Sequence, residues 1–367
     1  MQYRNFGQTG KKLSLLGFGA MRLPEDLQES VKVIQKSFEL GVNYLDTALA
    51  YGDSEKKCAV ALKGWRDRVY VSTKNPLRDF TIDGWKRRLD ESLSNLDTDY
   101  IDFYQVVHSL GIKTYDDFLI ANNGMKAVHK AKDEGLIKHI CFSTHDSPAN
   151  VKKLIDSGEF EGLTIQYNLL DRQYEEVIAY AHQKGMGVIV MGPVGGGSLA
   201  APSKQIQDMI TTGVKSSAET ALRFVFSNEN VTCAISGMNT IEQVEENCKI
   251  ASRKEPLSDE EKINILKSLE ENKKLAELYC TGCSYCMPCP NNVNIPENFK
   301  IMNLHRVYGL TSLAKRRYSF LSNPDRPNIG KKAEECIECG ICEPKCPQNI
   351  KIISQLKEVT KELSDNK

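Results

Sequence analysis

The sequence has no excess of charge of either sign and no long hydrophobic run. Its 367 residues include 48 Lys and Arg against 48 Asp and Glu, so the formal net charge is zero. Neither nucleic acid nor an anionic membrane is therefore indicated as a required partner. No apolar stretch approaches the length of a membrane span, and the first residues lack the apolar core of a secretion signal. We expect a cytoplasmic protein that binds neither nucleic acid nor a membrane.

Cysteine is concentrated in one part of the chain. Eight of the 12 cysteines lie between Cys280 and Cys346, in two tight groups. Without a secretion signal, clustered cysteines indicate metal binding rather than disulfides. The other four are scattered through apolar segments, and we expect them to be small buried core residues. They are Cys58, Cys141, Cys233 and Cys248.

The first part of the chain has the pattern of a parallel barrel. Short β-branched or aromatic runs alternate with amphipathic helical patterns as far as about residue 254. No Gly-x-Gly-x-x-Gly follows the first strand, which argues against an open doubly wound sheet. Eight strand–helix units predict a (β/α)8 TIM barrel of the α/β class over residues 1–272, with an N-terminal hairpin at residues 3–14. The strands are expected at residues 15–19, 43–46, 69–74, 101–108, 139–143, 163–167, 188–191 and 232–236.

Helix start signals support this alternation. Asp26, Ser216 and Thr240 are each followed three residues later by Glu or Gln, which is the pattern of a capping box or a close relative of one. A similar signal at Ser258 opens a helix that leads to the cysteines, and no convincing strand follows it. Residues 273–367 are therefore predicted to form a small, mainly helical domain.

Polar residues stand at the ends of three consecutive predicted strands. Asp46, Lys74 and His108 end these strands, and Tyr51 lies in the loop after the first of them. Each alone has a structural interpretation, such as a capped strand end or a hydrogen-bonded core histidine, but four at one rim of a barrel indicate an active site. A lysine ammonium paired with a carboxylate would lower the pKa of a neighbouring tyrosine, and a histidine can polarise a carbonyl oxygen. The set predicts a proton donor for carbonyl reduction, or the base for alcohol oxidation.

These residues carry a resemblance to a known family. The motif Asp46-Thr-Ala-x-x-Tyr51-Gly52-x-x-Glu55 resembles the active-site signature of the aldo-keto reductase superfamily, and the strand ends at Lys74 and His108 fall at matching positions. The resemblance implies a catalytic tetrad of Asp46, Tyr51, Lys74 and His108, with Tyr51 as the acid and base. It also implies NADPH or NADH as cofactor and a small carbonyl compound or alcohol as substrate.

The same resemblance implies where the cofactor binds. Ser143 and Thr144, with Gln166 beside them, would bind the nicotinamide carboxamide. The segment that begins at Gly192 would bind the pyrophosphate. The positions implied for the whole cofactor are Ser143, Thr144, Gln166, Met191, Gly192, Pro193, Val194, Gly237, Met238, Asn239, Gln243, Glu246 and Asn247.

Two departures from the family pattern concern the cofactor. Met191 stands where relatives often place an aromatic residue that stacks on the nicotinamide. Gly237, Met238 and Gln243 replace the Lys, Ser and Arg that grip the 2′-phosphate of NADPH in many members. We therefore expect weak discrimination between NADPH and NADH.

The cysteine groups indicate iron–sulfur clusters. The second reads Cys336-x-x-Cys339-x-x-Cys342-x-x-x-Cys346-Pro, the bacterial ferredoxin run, and the first is the same with one residue fewer before its last cysteine. In two-cluster ferredoxins the fourth cysteine of each run serves the other cluster. We therefore expect two [4Fe-4S] clusters, the first held by Cys280, Cys283, Cys286 and Cys346, and the second by Cys336, Cys339, Cys342 and Cys289. Zinc is the alternative to the clusters. A zinc ion needs only two Cys-x-x-Cys pairs, so continuous runs of four cysteines that end in Cys-Pro favour iron–sulfur clusters.

Three interpretations of function remain open. The first is a nicotinamide-dependent reductase or dehydrogenase whose clusters exchange electrons with a ferredoxin or flavoprotein. The tail resembles helical two-cluster ferredoxins, and its fusion behind a barrel resembles a subgroup of aldo-keto reductases found in anaerobes. In the second interpretation the enzyme keeps its activity but the clusters are only structural. In the third the barrel is a cofactor-sensing binding protein, as in potassium-channel β subunits.

Overall fold

The computed structural model describes residues 1–200, 202–210, 214–255, 257–280, 282–346 and 349–364. The chain forms two compact units. One comprises Met1–Gly197 and Ala221–Leu257, and the other comprises Ser198–Thr220 and Ser258–Lys367. The predicted boundary at residue 272 falls inside a helix that spans Asp259–Tyr279 and belongs to the second unit. Among the helices of the described residues, none has the length and apolar character needed to cross a membrane.

The first unit is built on a closed barrel of parallel strands, which confirms the predicted fold. A hairpin of β1 and β2 comes first, with Tyr3 opposite Ser14. The barrel strands then follow one another around the ring in chain order, and the last pairs with the first. The strands are β1 (Tyr3–Asn5), β2 (Lys12–Ser14), β3 (Leu16–Gly19), β4 (Tyr44–Asp46), β5 (Tyr70–Lys74), β6 (Ile101–Gln105), β7 (Ile137–Thr144), β8 (Gly162–Gln166), β9 (Gly187–Met191) and β10 (Cys233–Ser236).

Helices separate the strands. The loop after β6 contains an α-helical turn, α4, that continues into a π-helical segment at Tyr115–Ala121. The helices that follow the barrel strands are α1 (Leu27–Glu39), α2 (Ser54–Leu62), α3 (Ile82–Leu96), α4 (Ile112–Thr114), α5 (Gly124–Asp133), α6 (Pro148–Asp156), α7 (Glu175–Gln183), α8 (Lys204–Gln207), α9 (Ser217–Ser227) and α10 (Ile241–Ala251).

The predicted capping residues begin their helices. Asp26 accepts a hydrogen bond from the Glu29 amide at 2.8 Å, and Thr240 accepts one from the Gln243 amide at 3.3 Å. Ser258 forms the complete reciprocal pair: its hydroxyl accepts from the Glu261 amide at 3.1 Å, and the Glu261 carboxylate accepts from the Ser258 amide at 2.8 Å. These bonds satisfy amides that have no partner within the helix.

A phenylalanine from the hairpin closes the amino-terminal end of the barrel. Phe6 is 1% exposed and its ring lies 4.5 Å from that of Phe103, centroid to centroid. A Cβ at Gly162 would lie 2.1 Å from the Phe6 ring and one at Gly187 2.3 Å, so only glycine fits at these two strand positions. Cys141 and Cys233 pack in the same cluster, as expected of small core residues. The barrel is therefore open only toward the carboxyl ends of its strands.

The second unit contains the eight clustered cysteines and also a segment of chain that lies between two barrel strands, β9 and β10. The chain leaves the first unit after Gly197 and returns to it within α9. Helices α12 and α14 supply most of the apolar core, including Ile295, Phe299, Leu356 and Val359. A single bridge pair, Val293 with Lys331, is the strand-like pairing in the described part of this unit. Its remaining α-helices are α11 (Asp259–Tyr279), α12 (Ile295–Arg306), α13 (Thr311–Ser319) and α14 (Ile352–Leu363).

Candidate active site and cysteine cavities

A buried ion pair lies at the carboxyl ends of β4 and β5. The Lys74 ammonium donates to Asp46 Oδ1 at 2.5 Å and to the carbonyl of Thr47 at 2.7 Å. Both charged side chains are 3% exposed. The pairing of β4 with β5 places Asp46 beside Ser72, two residues before Lys74, so the two strand ends bring the charges together.

The other two tetrad residues lie against this pair. The Tyr51 and His108 rings meet edge to face, with centroids 5.8 Å apart. The Lys74 ammonium lies 5.1 Å from the centroid of the Tyr51 ring. Asp46, Tyr51, Lys74 and His108 thus form one group, drawn from the ends of β4 and β5 and from two loops. The prediction that His108 ends its strand was wrong, because β6 ends at Gln105 and His108 lies three residues beyond it in the following loop.

Burial determines the protonation of this group more than we expected. We expected the Lys74 ammonium to lower the pKa of Tyr51, but burial raises that pKa and the opposing effect of Lys74 is smaller. Burial disfavours the Lys74 ammonium, but Asp46 and Tyr51 together outweigh this effect and raise the pKa of Lys74. Burial also raises the pKa of Asp46, and Lys74 opposes the rise. Tyr51 is therefore a protonated phenol at neutral pH, which is the form that donates.

His108 is held in its neutral form. Burial, with smaller contributions from Lys74 and His145, lowers the pKa of His108 to about 4. Its backbone amide donates to the carbonyl of Asn75 at 2.7 Å, which fixes the residue beside the end of β5. A neutral imidazole can donate a hydrogen bond to a carbonyl oxygen without adding a second cation next to Lys74.

A buried carboxylate supports the loop that carries Tyr51. Glu55, at the start of α2, is 1% exposed and accepts from the Thr73 hydroxyl at 2.6 Å and from the Asn95 amide at 3.1 Å. Since Thr73 precedes Lys74, these bonds tie α2 to the end of β5. The motif contains Glu55, but its spacing alone did not indicate this supporting role.

The predicted carboxamide-binding residues lie at the carboxyl ends of β7 and β8. Ser143 Oγ accepts from the Ser109 amide at 3.2 Å, and Thr144 Oγ1 accepts from the Asp146 amide at 3.0 Å. The amide of Gln166 lies beside Gly192, where a Cβ would come within 2.6 Å of Gln166 Oε1. Met191 pairs with Gln166 across β8 and β9. Hydroxyl and amide groups suit a neutral carboxamide, and Gly192 leaves room for Gln166.

The segment after β9 exposes backbone in conformations that favour glycine. Gly192, Gly195, Gly196 and Gly197 have φ values of 65°, 58°, 65° and 88°. Arg22, in the loop after β3, donates to the carbonyl of Gly196 at 2.5 Å. Close backbone and a guanidinium suit a phosphate. Arg22 was not among the predicted cofactor-binding residues, because nothing in the chain order places it near residue 196.

The predicted adenosine end follows β10. The Asn239 amide donates to Gln243 Oε1 at 3.0 Å, and the Asn247 amide donates to Ser236 Oγ at 3.4 Å. Met238 is 1% exposed, so its side chain packs inside the unit. The other positions predicted here are exposed on the loop and on α10: Gly237, Asn239, Gln243 and Glu246.

The cysteines line two cavities in the second unit. Pro347, which follows the second run, lies outside the described residues, and Cys286 borders both cavities. The first cavity is bordered by the set predicted for one cluster: Cys280, Cys283, Cys286 and Cys346. The second is bordered by the other predicted set: Cys289, Cys336, Cys339 and Cys342. Four thiols around an apolar cavity are a donor set that suits an iron–sulfur cluster.

Comparison with known proteins identifies the family of each part of the chain. A family model described as the aldo/keto reductase family matches residues 15–271, and one described as a 4Fe-4S dicluster domain matches residues 279–351. An uncharacterized oxidoreductase of Bacillus subtilis, YqkF, is 28% identical over 309 residues, which are 75% of this chain and 97% of the relative. L-galactose dehydrogenase of Arabidopsis thaliana is 27% identical over 308 residues, which are 75% and 96%.

A solved structure shares the barrel. Aldo-keto reductase AKR11C1 from Bacillus halodurans, in its holo form, aligns with a TM-score of 0.66 at 28% identity, over 73% of this chain and 96% of that one. The relatives are thus matched over nearly their whole length, and the dicluster match follows the reductase match. The chain belongs to the aldo/keto reductase family, and it carries a 4Fe-4S dicluster domain after its barrel.

Proposed function

We propose that this protein uses NADPH or NADH to reduce a small carbonyl compound, or to oxidise the corresponding alcohol. The observation that carries the proposal is the buried Lys74–Asp46 pair, 2.5 Å apart, with Tyr51 and a neutral His108 against it. In the reducing direction the nicotinamide supplies a hydride, which is two electrons and one proton. The second proton must come from the protein, and Tyr51 holds one.

Each tetrad residue has a separate task. Tyr51 donates its hydroxyl proton to the substrate oxygen, and His108 donates a hydrogen bond to the same oxygen as negative charge develops there. Lys74 stabilises the tyrosinate that remains, and Asp46 keeps the ammonium charged in a buried place. In the oxidising direction the tyrosinate accepts the proton of the alcohol.

The cofactor would lie across the later strand ends. Ser143, Thr144 and Gln166 would bind the carboxamide, and the glycines from Gly192 onward, with Arg22, would bind the pyrophosphate. On the adenosine side the loop after β10 has no lysine or arginine at the positions where many relatives have them. This absence favours similar use of NADPH and NADH.

Comparing Tyr51→Phe with Tyr180→Phe tests the assignment. Tyr180 lies on the surface helix α7, where its hydroxyl donates to Asp156 at 2.5 Å, and it serves as the matched control. The purified holoprotein is given a panel of aldehydes with each nicotinamide under anaerobic conditions. Turnover supports an enzyme, whereas cofactor binding without turnover of any aldehyde or alcohol would favour the binding-protein interpretation.

We further propose that the two cavities hold two [4Fe-4S] clusters with crossed fourth ligands. Replacing Cys280 and Cys346 together with serine then removes one cluster, because both belong to the first set. Replacing Cys280 and Cys289 together removes both. Iron and sulfide per protein distinguish the two double variants. If each run closes its own cluster, the two iron contents are reversed.

The clusters would exchange electrons with a ferredoxin or a flavoprotein. Each cluster carries one electron, so two together carry the two electrons of a hydride. The structural alternative also has an observation in its favour, since the cysteines pack against the apolar core around α12 and α14. Anaerobic stopped-flow absorbance decides between them. We expect cluster bleaching or recovery when substrate and reduced cofactor are mixed, and clusters that stay silent through many turnovers would favour the structural alternative.

A further inference from the structure

The segment that links β9 to α9 belongs to the cysteine-containing unit. It begins at Ser198, directly after the glycine segment Gly192–Gly197, and it ends at Thr220. Its described residues are 198–200, 202–210 and 214–220, and they include α8. The segment proposed to bind the cofactor phosphates is therefore continuous, at its carboxyl end, with a part of the cluster domain.

Two contacts join this segment to the turn between α12 and α13. The Ser203 hydroxyl donates to the carbonyl of Tyr308 at 2.7 Å, and Ser203 is 3% exposed. The Gln205 side chain lies against Gly309, where a Cβ would come within 2.5 Å of Gln205 Oε1. Gly309 has a φ of 63°, a backbone conformation that favours glycine. A residue with a side chain at 309 would therefore displace Gln205.

Helix α12 connects this turn to the first cysteine cavity. Ile295 and Phe299, in the first half of the helix, line the cavity together with Cys280, Cys283 and Cys286. At the other end of the helix, backbone hydrogen bonds hold the turn in place. The Gly309 amide donates to the carbonyl of His305 at 3.1 Å, and the Leu310 amide donates to the carbonyl of Leu304 at 2.8 Å. The lining of the cavity and the turn at Tyr308 and Gly309 therefore lie at the two ends of one short helix.

The glycine segment needs support from outside itself. Three successive residues, Gly195, Gly196 and Gly197, have left-handed backbone, and glycine has the most conformational freedom to lose on ordering. Strand β9 fixes the start of the segment and Arg22 binds the carbonyl of Gly196 in its second half, so its end is left to residues 198–220.

We propose that the cluster domain positions the phosphate-binding glycines, so that nicotinamide cofactor binding depends on an intact first cluster cavity. The route is from the cavity along α12 to Tyr308 and Gly309, then to Ser203 and Gln205, and along the chain to Gly197. The proposal rests on the proposed function, since it assumes that the barrel binds a nicotinamide. It makes Ser203 and Gly309 positioning residues for a cofactor that they do not touch.

Gly309→Ala tests the proposal, with Gly41→Ala as the matched control. Both glycines have positive φ, and a Cβ at Gly41 would meet the Tyr3 hydroxyl at 3.0 Å, in the first unit and on neither α12 nor the segment at 198–220. The affinities for NADH and NADPH are measured by fluorescence on anaerobically prepared holoprotein, with iron content determined in parallel. We expect Gly309→Ala to keep its iron and to bind both cofactors roughly tenfold more weakly, which is the effect of a modest packing defect. We expect Gly41→Ala to bind both cofactors as the wild-type protein does.

Wild-type affinity in an iron-replete Gly309→Ala protein would overturn the proposal. Should either alanine variant fail to retain iron, Gln205→Ala serves instead, since it removes the side chain against Gly309 without backbone strain. We expect Gln205→Ala to show the same loss of cofactor affinity. If Gln205→Ala binds the cofactors as the wild-type protein does, the proposal is overturned. A wild-type protein that binds neither nicotinamide would refute the proposed function. That result differs from one in which the wild-type protein and Gly309→Ala bind the cofactors equally well, which would refute only the present proposal.

Discussion

Replacing Lys74 with methionine separates the structural task of this residue from its catalytic task. Both side chains of the Lys74–Asp46 pair are 3% exposed. Loss of the ammonium leaves the Asp46 carboxylate buried without its cation, and breaking a buried pair in this way costs about 3–5 kcal/mol. We expect Lys74→Met to destabilise the barrel by about this amount near neutral pH and to abolish carbonyl reduction.

The pH dependence of this loss has a definite sign. Without Lys74 the pKa of Asp46 is raised further in the folded protein, whereas its unfolded value stays near ~3.9. Between these two pKa values the folded state binds a proton that the unfolded state does not, so stability falls as the pH rises through this window. The difference in free energy of unfolding between Lys74→Met and the wild-type protein should therefore become smaller as the pH is lowered from about 8 to about 5.

Tryptophan fluorescence during urea unfolding is the assay. Both tryptophans of the chain, Trp65 and Trp85, lie in the first unit, so their emission reports the barrel separately from the cluster domain. The double variant Lys74→Met/Asp46→Asn should regain most of the lost stability, because no charge remains buried, but none of the activity. A loss of under about 1 kcal/mol in Lys74→Met, the size seen for exposed pairs, would refute the reasoning.

Three further predictions follow from the site. Tyr51→Phe should lower carbonyl reduction by at least ~100-fold while cofactor affinity is unchanged, and Tyr180→Phe should have full activity; steady-state kinetics and fluorescence titration check both. The pKa of His108 is lowered to about 4, so its neutral form should contribute stability that is present above about pH 6.5 and lost as the pH falls toward 4. An NMR titration that finds an ordinary imidazole pKa would contradict this. NADPH should bind within about a hundredfold of NADH, and a larger ratio in a direct titration would mean that other basic residues grip the 2′-phosphate.

The barrel and the tetrad could be predicted because both depend on local patterns. The strand periodicity and the caps are readable over a few residues, and a parallel barrel brings all the strand ends to one rim. Asp46, Lys74 and His108 therefore had to lie near one another once the strands were recognised. The first three cysteines of each run were expected around one centre for a similar reason, since they are two residues apart. The assignment of each fourth cysteine came instead from the pattern of two-cluster ferredoxins.

The remaining features depend on burial or on long-range packing. The pKa of Tyr51 is raised because desolvation exceeds the effect of Lys74, and the balance between them requires the folded structure. Nothing near Ser198 in the sequence shows that the chain enters the second unit there. Arg22 and Gly196 are 174 positions apart, so no local sequence pattern could predict their hydrogen bond.

The position of Phe6 has a consequence for the order in which the barrel assembles during synthesis. Its ring is seated against Gly162 and Gly187, which lie on β8 and β9, the sixth and seventh of the eight barrel strands. The hairpin is synthesised before all the barrel strands, yet the place where Phe6 packs does not exist until the chain has grown past residue 187. The hairpin must therefore wait unpacked while most of the barrel is translated. The floor of the barrel is completed only when all but one of the barrel strands have been made.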